Sequence, residues 1–309
     1  MNILVIGGNG FIGSHLVDYL LLNKYKVRVF DSTPERFRKP LKKVDYRLSD
    51  INNIPDLYEA LLGIDIVFHL ASSIVPSSSN VNIISSIKKN ILPTIQLLDL
   101  IVHLKIPKII YFSSGGAVYG IPEKTPIPET HKLEPISSYG IIKATIENYI
   151  RLYNSQFGLD YLIVRPSNPY GPRQGHFLAQ GIISTFLRKV HNKEILQIFG
   201  DGSTTKDYIY ITDLIELTFD CFKKNISGTF NIGSGVGTSI NQIIDVIEKV
   251  TKRKNKISHT QPKSYDVKNF ILDIKKIASH TTLNLKLTPL EKGVQTTNDW
   301  LKNNIFMNE

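Results

Sequence analysis

The chain opens Met1-Asn2-Ile3-Leu4-Val5-Ile6-Gly7-Gly8-Asn9-Gly10-Phe11-Ile12-Gly13, and no other stretch constrains its fold as strongly. Four apolar residues, Ile3 to Ile6, run into glycines at 7, 10 and 13, and an amphipathic segment from Phe11 to Leu22 follows at once. This pattern predicts a strand, a tight turn and a helix whose free N-terminal N–H groups can receive a pyrophosphate. The spacing is G-x-x-G-x-x-G, not the G-x-G-x-x-G of most dinucleotide folds, so the glycines need support from elsewhere in the chain. A second strand-like run, Lys26 to Phe30, supplies it by ending on Asp31. An acid at that tip can hydrogen-bond both ribose hydroxyls of NAD and would repel a 2′-phosphate, so NAD is expected over NADP.

The 309 residues are 42% hydrophobic, enough to bury a large core as one elaborated α/β domain or two joined lobes. No apolar stretch approaches the roughly 20 residues that span a bilayer, and no basic segment precedes the short first apolar run, so neither a membrane anchor nor a signal peptide is expected. Cys221 is the only cysteine, which excludes a disulfide framework and a thiolate metal site and points to the cytoplasm. The eight histidines show no ligand spacing with carboxylates, so no metal is expected, and His69 is expected to pack near the cofactor. The net charge of +10 invites a nucleic-acid reading. Its densest clusters, Lys252-Arg253-Lys254 and Arg36 to Lys43, lie far apart, however, and no nucleic-acid motif accompanies them. A solvated lysine-rich surface, favourable to an anionic nucleotide substrate, is the better reading.

Strand-like runs at Ile3–Ile6, Lys26–Phe30, Asp45–Leu48, Ile64–His69, Lys108–Phe112 and Tyr161–Val164 alternate with helix-like runs at Ile12–Leu22, Ile54–Leu62, Val81–Leu104 and Ser138–Phe157. This rhythm predicts a Rossmann-type, doubly wound, mainly parallel sheet with helices on both faces. From about Asn168 short strands (Ile195–Phe199, Asp207–Tyr210, Thr229–Ile232) mix with helices (Thr212–Phe222, Ser239–Val250, Pro289–Asn303). We therefore expect an NAD-binding domain over 1–167 and a smaller α/β substrate lobe over 168–309, some of whose segments return to the first domain. The Ser- and Pro-rich stretch Ser72–Asn80 is expected to line the cleft.

Tyr139 and Lys143 form a Tyr-x-x-x-Lys pair near the start of a predicted helix, after Pro135 and the candidate caps Ser137 and Ser138. Residues four apart share a helical face, so the ammonium is expected to lower the phenol's pKa and fit it for general-base work. Alone, such a spacing marks an ordinary amphipathic helix; beside the glycine turn and Asp31 it gains weight.

With these residues the chain resembles the extended short-chain dehydrogenases/reductases that act on nucleotide sugars, the epimerase, dehydratase and reductase group, over nearly its whole length. The resemblance is carried further by Asp50-Ile51, His69-Leu70-Ala71-Ser72, Asn90, the run SSGGAVYG from Ser113 to Gly120, Arg165-Pro166-Ser167-Asn168-Pro169-Tyr170-Gly171-Pro172-Arg173, and Gly200-Asp201-Gly202 through Asp207-Tyr208 to Asp213. It implies a cofactor site of Gly7, Gly10, Phe11, Ile12, Gly13, Asp31, Asp50, Ile51, Leu70, Ala71, Ser72, Asn90, Tyr139 and Lys143. It implies catalysis by Tyr139 and Lys143, with Ser114 as the third catalytic candidate, and contacts to a nucleotide-diphosphate sugar from Ser114, Asn168, Arg173, Lys206 and Lys263. It also implies a homodimer paired through the two long helices, and a place in polysaccharide biosynthesis.

Three departures from the family pattern stand out. The Ser or Thr three residues before Val118 is here Gly115, with Gly116 and Ala117 beside it, leaving Ser114 as the nearest hydroxyl. The alternatives are that Ser114 swings in, that a water substitutes, or that Tyr139 works unaided. Lys206 and Lys263 stand where the family carries arginines, and a lysine gives a point charge in place of a two-pronged grip. Positions 116 and 117 lack the acids a 4,6-dehydratase needs. The best reading is an NAD-dependent UDP-hexose 4-epimerase. Its rival is an NAD(P)H-dependent dTDP-4-dehydro-6-deoxyhexose 4-keto reductase, and a non-catalytic NAD-binding sensor is the alternative outside enzymology.

Overall fold

The computed structural model describes residues 1–73, 79–175, 181–261, 267–282 and 286–304. Its first part runs β1 (Asn2–Ile6), α1 (Phe11–Leu22), β2 (Lys26–Asp31), β3 (Val44–Leu48), α2 (Ile54–Leu61), β4 (Ile66–His69), α3 (Ile83–His103), β5 (Lys108–Phe112), α4 (Gly115–Val118), α5 (Ser138–Phe157) and β6 (Asp160–Pro166). One seven-stranded sheet has the order Gly228–Ile232, β6, β5, β4, β1, β2, β3. Its neighbours from β3 through to β6 are all parallel. This is the Rossmann-type α/β fold that the alternating pattern predicts.

The sheet forms because β1, β4 and β5 are apolar on both faces. Ile3, Leu4, Val5 and Ile6 are at most 1% exposed, as strands sandwiched between helix layers must be. One packed cluster joins Leu4, Ile6 and Val67 to Leu97, Leu98 and Ile101 of α3 and to Ile142, Ile146 and Ile150 of α5. The strand order reverses between β1 and β4, the switch point at whose carboxyl ends sheets of this kind bind ligands.

Contacts divide the chain into two compact units. The first holds Met1–Ile121, Thr130–Arg165 and Cys221–Phe230; the second holds Pro122–Glu129, Pro166–Asp220 and Asn231–Glu309. The strand expected over Thr229–Ile232 is a segment that returns: it forms an edge of the main sheet. Phe230, Asn231 and Ile232 are buried in succession, the pattern of a strand covered on both faces. The chain's return is anchored by Lys108, whose buried ammonium donates to Asn225 Oδ1 (3.0 Å) and Ile226 O (2.8 Å) and pairs with Asp160 (2.9 Å).

In the second unit, strand Thr205–Tyr210 pairs with Asn168–Tyr170, Gly237–Ser239 and Asn269–Phe270. Leu196–Phe199 pairs with Ile257–Thr260, and helices Ile182–His191, Ile240–Thr251 and Leu290–Asn304 share a core. Four of these strands have four residues or fewer and lie outside the sequence reading, as do Ile182–His191 and the short helix Lys275–His280. Strands that short carry no readable alternation, and Ile182–His191 starts on Gly181 without a side-chain cap. Among the described residues no helix is long and apolar enough to cross a membrane, and no group of three or more His, Cys, Asp or Glu could hold a metal.

Candidate active site

The turn after β1 is shaped by what cannot fit there. Gly7 has φ +85°, and a Cβ on it would lie 2.7 Å from Ala71 N, where the segment leaving β4 crosses. A Cβ on Gly13 would run into Gly7 O. Glycine at both positions lets the backbone close tightly, with Gly7 N donating to Phe30 O (2.9 Å) and Ala71 N to Ile6 O (3.1 Å). Helix α1 then begins on Gly10 with no side-chain cap and no acid in its first turn, so the N–H groups around Phe11 and Ile12 keep the positive end of the helix open to an anion.

Asp31 ends β2 beside this turn. Its Oδ2 accepts from Asn9 N (3.0 Å), and its Oδ1 accepts from Thr33 N and Thr33 Oγ1 (both 3.0 Å). These bonds fix the carboxylate and leave acceptor capacity on Oδ2 for a ribose hydroxyl. Arg38, further along the same loop, pairs with Asp18 and Glu35. An uncapped helix, a cradle that side chains would fill and an acid at the strand tip together fit a dinucleotide with a free adenosine ribose.

The remaining cofactor candidates differ in what they offer. Asp50 is exposed, and Asn52 N and Nδ2 donate to its Oδ1 (2.8 and 2.7 Å), holding its carboxyl below the ordinary range. Ile51, Leu70 and Ala71 are half-buried, and Ser72 is exposed. Asn90 is buried with its side chain fully engaged: Oδ1 accepts from Ser73 N (3.0 Å), and Nδ2 donates to Ser73 Oγ (2.8 Å) and Ser86 O (2.7 Å). It therefore pins the segment leaving β4 and presents no free group of its own. Most of the Ser-rich stretch, 74–78, lies outside the described residues.

Helix α5 carries the candidate acid–base pair, Tyr139 and Lys143. Ser137 caps it by accepting from Gly140 N (3.2 Å), and Asn80 Oδ1 accepts from Ser138 N (2.9 Å). A Cβ on Gly140 would run into Ala117 O, so this glycine lets α5 close on α4. The approach brings the Ser114 hydroxyl near enough to act on the Tyr139 phenol. Ser114 is the N-cap of α4 yet makes no capping bond, so its hydroxyl serves the phenol instead. Burial pushes the Tyr139 phenol above its ordinary value and the Ser114 hydroxyl pulls it down. The sequence reading expects Lys143 to do the pulling; in the structure the resolved downward pull comes from Ser114. The Lys143 ammonium is 5.8 Å from the Tyr139 ring centroid and donates to Phe112 O (2.8 Å).

Behind these residues lies a buried ionic cluster that the sequence reading missed. Glu147, fully buried, accepts from Ser113 Oγ (2.6 Å), from Arg165 Nε (2.9 Å) and Nη2 (2.5 Å), and from Arg151 (2.7 Å). Arg165 also donates to the Tyr119 hydroxyl (2.8 Å). Burial disfavours the Glu147 carboxylate, but Arg165, then Ser113 and Arg151, hold its pKa below the ordinary value. The cluster grips Ser113, and so braces the loop that carries Ser114. The signal was present: Glu147 follows Lys143 by the same four residues that separate Lys143 from Tyr139. His69, at the end of β4, shares a hydrogen bond with Thr94 Oγ1 (3.0 Å), and burial keeps it neutral.

The second unit carries the candidate substrate residues. Asn168 Nδ2 donates to Asp207 O (2.7 Å), and Lys206 Nζ donates to Val267 O (2.9 Å). Arg173 has φ +73°. Lys263 lies outside the described residues. Asp207 is a structural knot: its carboxylate accepts from Ser234 N (2.8 Å), Ser234 Oγ (2.7 Å) and Gly235 N (3.1 Å). Asp213 likewise accepts from Thr288 N (2.8 Å) and Thr288 Oγ1 (2.9 Å).

Comparison with known proteins agrees with this geometry. Residues 3–233 match the profile of the NAD-dependent epimerase/dehydratase family. A Methanocaldococcus jannaschii protein, provisionally named UDP-glucose 4-epimerase, is 36% identical over 310 residues, covering 98% of this chain and 99% of its own. The Escherichia coli dTDP-4-dehydro-6-deoxyglucose reductase is 32% identical over 285 residues, 89% of each chain. The crystal structure of Thermotoga maritima UDP-glucose 4-epimerase with UDP-glucose superposes with a TM-score of 0.91 at 32% identity, covering 99% of this chain and 100% of that one. The chain thus belongs to the NAD-dependent epimerase/dehydratase family, enzymes of the extended short-chain dehydrogenase/reductase type, and its cofactor is NAD.

Proposed function

We propose that this enzyme is a nucleotide-sugar 4-epimerase acting on a UDP-hexose. The observation that carries the reading is the placement of the Ser114 hydroxyl where it acts on the Tyr139 phenol, although Gly115 has none to offer. The names of the relatives support the UDP-sugar class.

When bound, NAD supplies a hydride acceptor and donor for carbon 4 of the sugar. The backbone at Gly7, Gly10, Phe11, Ile12 and Gly13 would hold its pyrophosphate, and Asp31 its adenosine ribose. Asp50 and Ile51 would lie along the adenine; Leu70, Ala71 and Ser72, with Asn90 bracing them, would line the nicotinamide side. Tyr139 takes the proton from the sugar 4-hydroxyl, and Ser114 hydrogen-bonds the same oxygen and keeps the phenol aligned. Lys143 favours the phenolate electrostatically and binds the nicotinamide ribose. A positioned acid–base group of this kind contributes about 10²–10⁴ in rate. Inversion at carbon 4 without net oxidation would need the 4-keto sugar to present its opposite face to the bound cofactor. Asn168, Arg173, Lys206 and Lys263 are our candidates for the sugar nucleotide's diphosphate.

A second reading, a 4-keto reductase, is favoured by the Escherichia coli relative and by a mechanism that uses the same residues for one half-reaction. Denaturing the purified protein separates the two. The epimerase reading expects about one NAD released per chain, together with interconversion of UDP-glucose and UDP-galactose. Protein that carries no cofactor and consumes NAD(P)H with a dTDP-4-keto sugar would replace it with the reductase. Cofactor without either turnover would leave the sensor.

We also propose a homodimer through α3 and α5. Ile83, Ile87, Ile91, Ile136, Ile141 and Thr145 line an apolar groove of 390 Å³ between these helices. Ile84 (68% exposed) and Leu92 (51%) on α3 and Leu152 (43%) on α5 extend the apolar character of these helices. A solution mass near 34.9 kDa by light scattering at micromolar concentration would reject the dimer.

A further inference from the structure

Lys143 is buried, at 5% exposure, with no ion pair. A buried ammonium without a carboxylate is costly, so something else must stabilise it. Glu147, the acid one turn along α5, has both oxygens engaged by Arg165, Arg151 and Ser113 and acts on Lys143 only through its charge. One of the three ammonium protons goes to Phe112 O (2.8 Å). The other close feature is the ring of Tyr111 on β5, whose centroid lies 4.9 Å from Lys143 Nζ, nearer than that of Tyr139. That distance is within the range of a cation–π contact, which strengthens where water is excluded, and Tyr111 is 1% exposed.

Two further facts narrow the role to the ring. The Tyr111 hydroxyl is buried and makes no hydrogen bond. His69 packs against Tyr111 at 5.5 Å between ring centroids and 39° between planes, and as a neutral imidazole it brings no competing cation. The titratable groups facing Lys143 are therefore His69 from β4, Tyr111 from β5, and Tyr139 and Glu147 from α5, with Arg165 of β6 reaching it only through Glu147.

We propose that Tyr111 is a positioning residue whose ring face keeps the Lys143 ammonium charged and fixed beside Tyr139, its hydroxyl being dispensable. The significance for catalysis rests on the reading of Tyr139 and Lys143 as the acid–base pair; the contact itself does not. Burial pulls Lys143 down to about 8, with Glu147 opposing, so a modest further loss would leave the lysine largely neutral at physiological pH.

The test is NMR titration of the purified, NAD-loaded full chain labelled with ¹³Cε-lysine, the Lys143 signal being assigned by its disappearance in Lys143→Met. Four proteins are compared: wild type, Tyr111→Phe, Tyr111→Leu, and the chain with 3,4,5-trifluorophenylalanine at position 111, which keeps the shape of Phe but weakens the ring's negative face. Tyr111→Phe is expected to titrate with wild type. The trifluoro ring and Tyr111→Leu are expected to lower the midpoint by about one pH unit. If Tyr111→Leu does not fold, the trifluoro protein decides alone. A trifluoro midpoint equal to that of Tyr111→Phe, or a Tyr111→Phe midpoint shifted as far as the trifluoro one, overturns the proposal. The alkaline limb of kcat/KM for UDP-hexose interconversion should move in the same order. Wild type without that turnover would sink the epimerase reading and leave the NMR result standing.

Discussion

Two strand ends build this site by different means. The turn after β1 is made of backbone: Gly7 and Gly13 contribute by lacking side chains, and the helix behind them offers only N–H groups. The region after β5 is made of side chains: Ser114, Tyr139 and Lys143 are the candidate acting groups, and the Glu147–Arg165 cluster holds their scaffold in place. Glycines appear at both places, but Gly7 is forced by its φ of +85° and by Ala71, whereas Gly115 and Gly116 are absent from the positive-φ glycines. A glycine required by geometry marks a binding turn. A glycine not required by its backbone marks a place where a side chain has been given up, and its neighbours must be searched for the replacement.

The largest expected effect breaks the first region alone. Gly7→Ala places a methyl against Ala71 in a backbone conformation that L-residues resist, at about 1 kcal/mol for the conformation before the clash. The variant should purify without NAD, as read by absorbance of the denatured supernatant; full NAD occupancy would mean that the turn is not the cradle. The second region breaks through its brace. Glu147→Gln removes one partner of a buried ion pair and should cost about 3–5 kcal/mol in denaturant unfolding. The wild-type carboxyl is depressed in the fold, so its contribution is complete above the unfolded value of about 4.3 and disappears as pH falls through the folded one. Stability of Glu147→Gln should therefore be flatter than wild type on the acid side; an unchanged acid limb would show that Glu147 does not carry it.

The smaller effects sharpen the contrast at position 115. Ser114→Ala should lower kcat by about ten- to a hundredfold with KM nearly unchanged, because the hydroxyl acts with the phenol in the reacting geometry. Adding Gly115→Ser to that variant returns a hydroxyl to the position where the family pattern places one, and should recover part of the loss. A double variant no faster than Ser114→Ala would show that position 115 does not reach the sugar.

The two regions also differ in how well the sequence reveals them. The glycine turn, Asp31 and the parallel sheet are legible because sterics and burial act locally: glycines where a backbone must pass, apolar runs where a strand is covered on both faces. The Tyr139–Lys143 spacing is legible for the same reason, being fixed by one helical face. What ties those residues to their surroundings is not. The surroundings of Lys143 could not be read because the ammonium's partners, Phe112 O and the Tyr111 ring, come from a strand about thirty residues earlier in the chain. The commitment of the Asn90 side chain to Ser73 and Ser86 could not be read because it is a tertiary fact. Which segment returns to the first domain could not be read, because nothing local says which sheet a short buried strand such as Gly228–Ile232 joins.

The central claim is that Tyr139, seated against Ser114 within an NAD-binding fold, moves the proton at carbon 4 of the sugar. Tyr139→Phe tests it most directly, with UDP-glucose/UDP-galactose interconversion and cofactor content measured on the same preparation. The account predicts about one NAD per chain, as in wild type, and a kcat lowered by about 10²–10⁴. Interconversion at the wild-type rate with cofactor in place would contradict it.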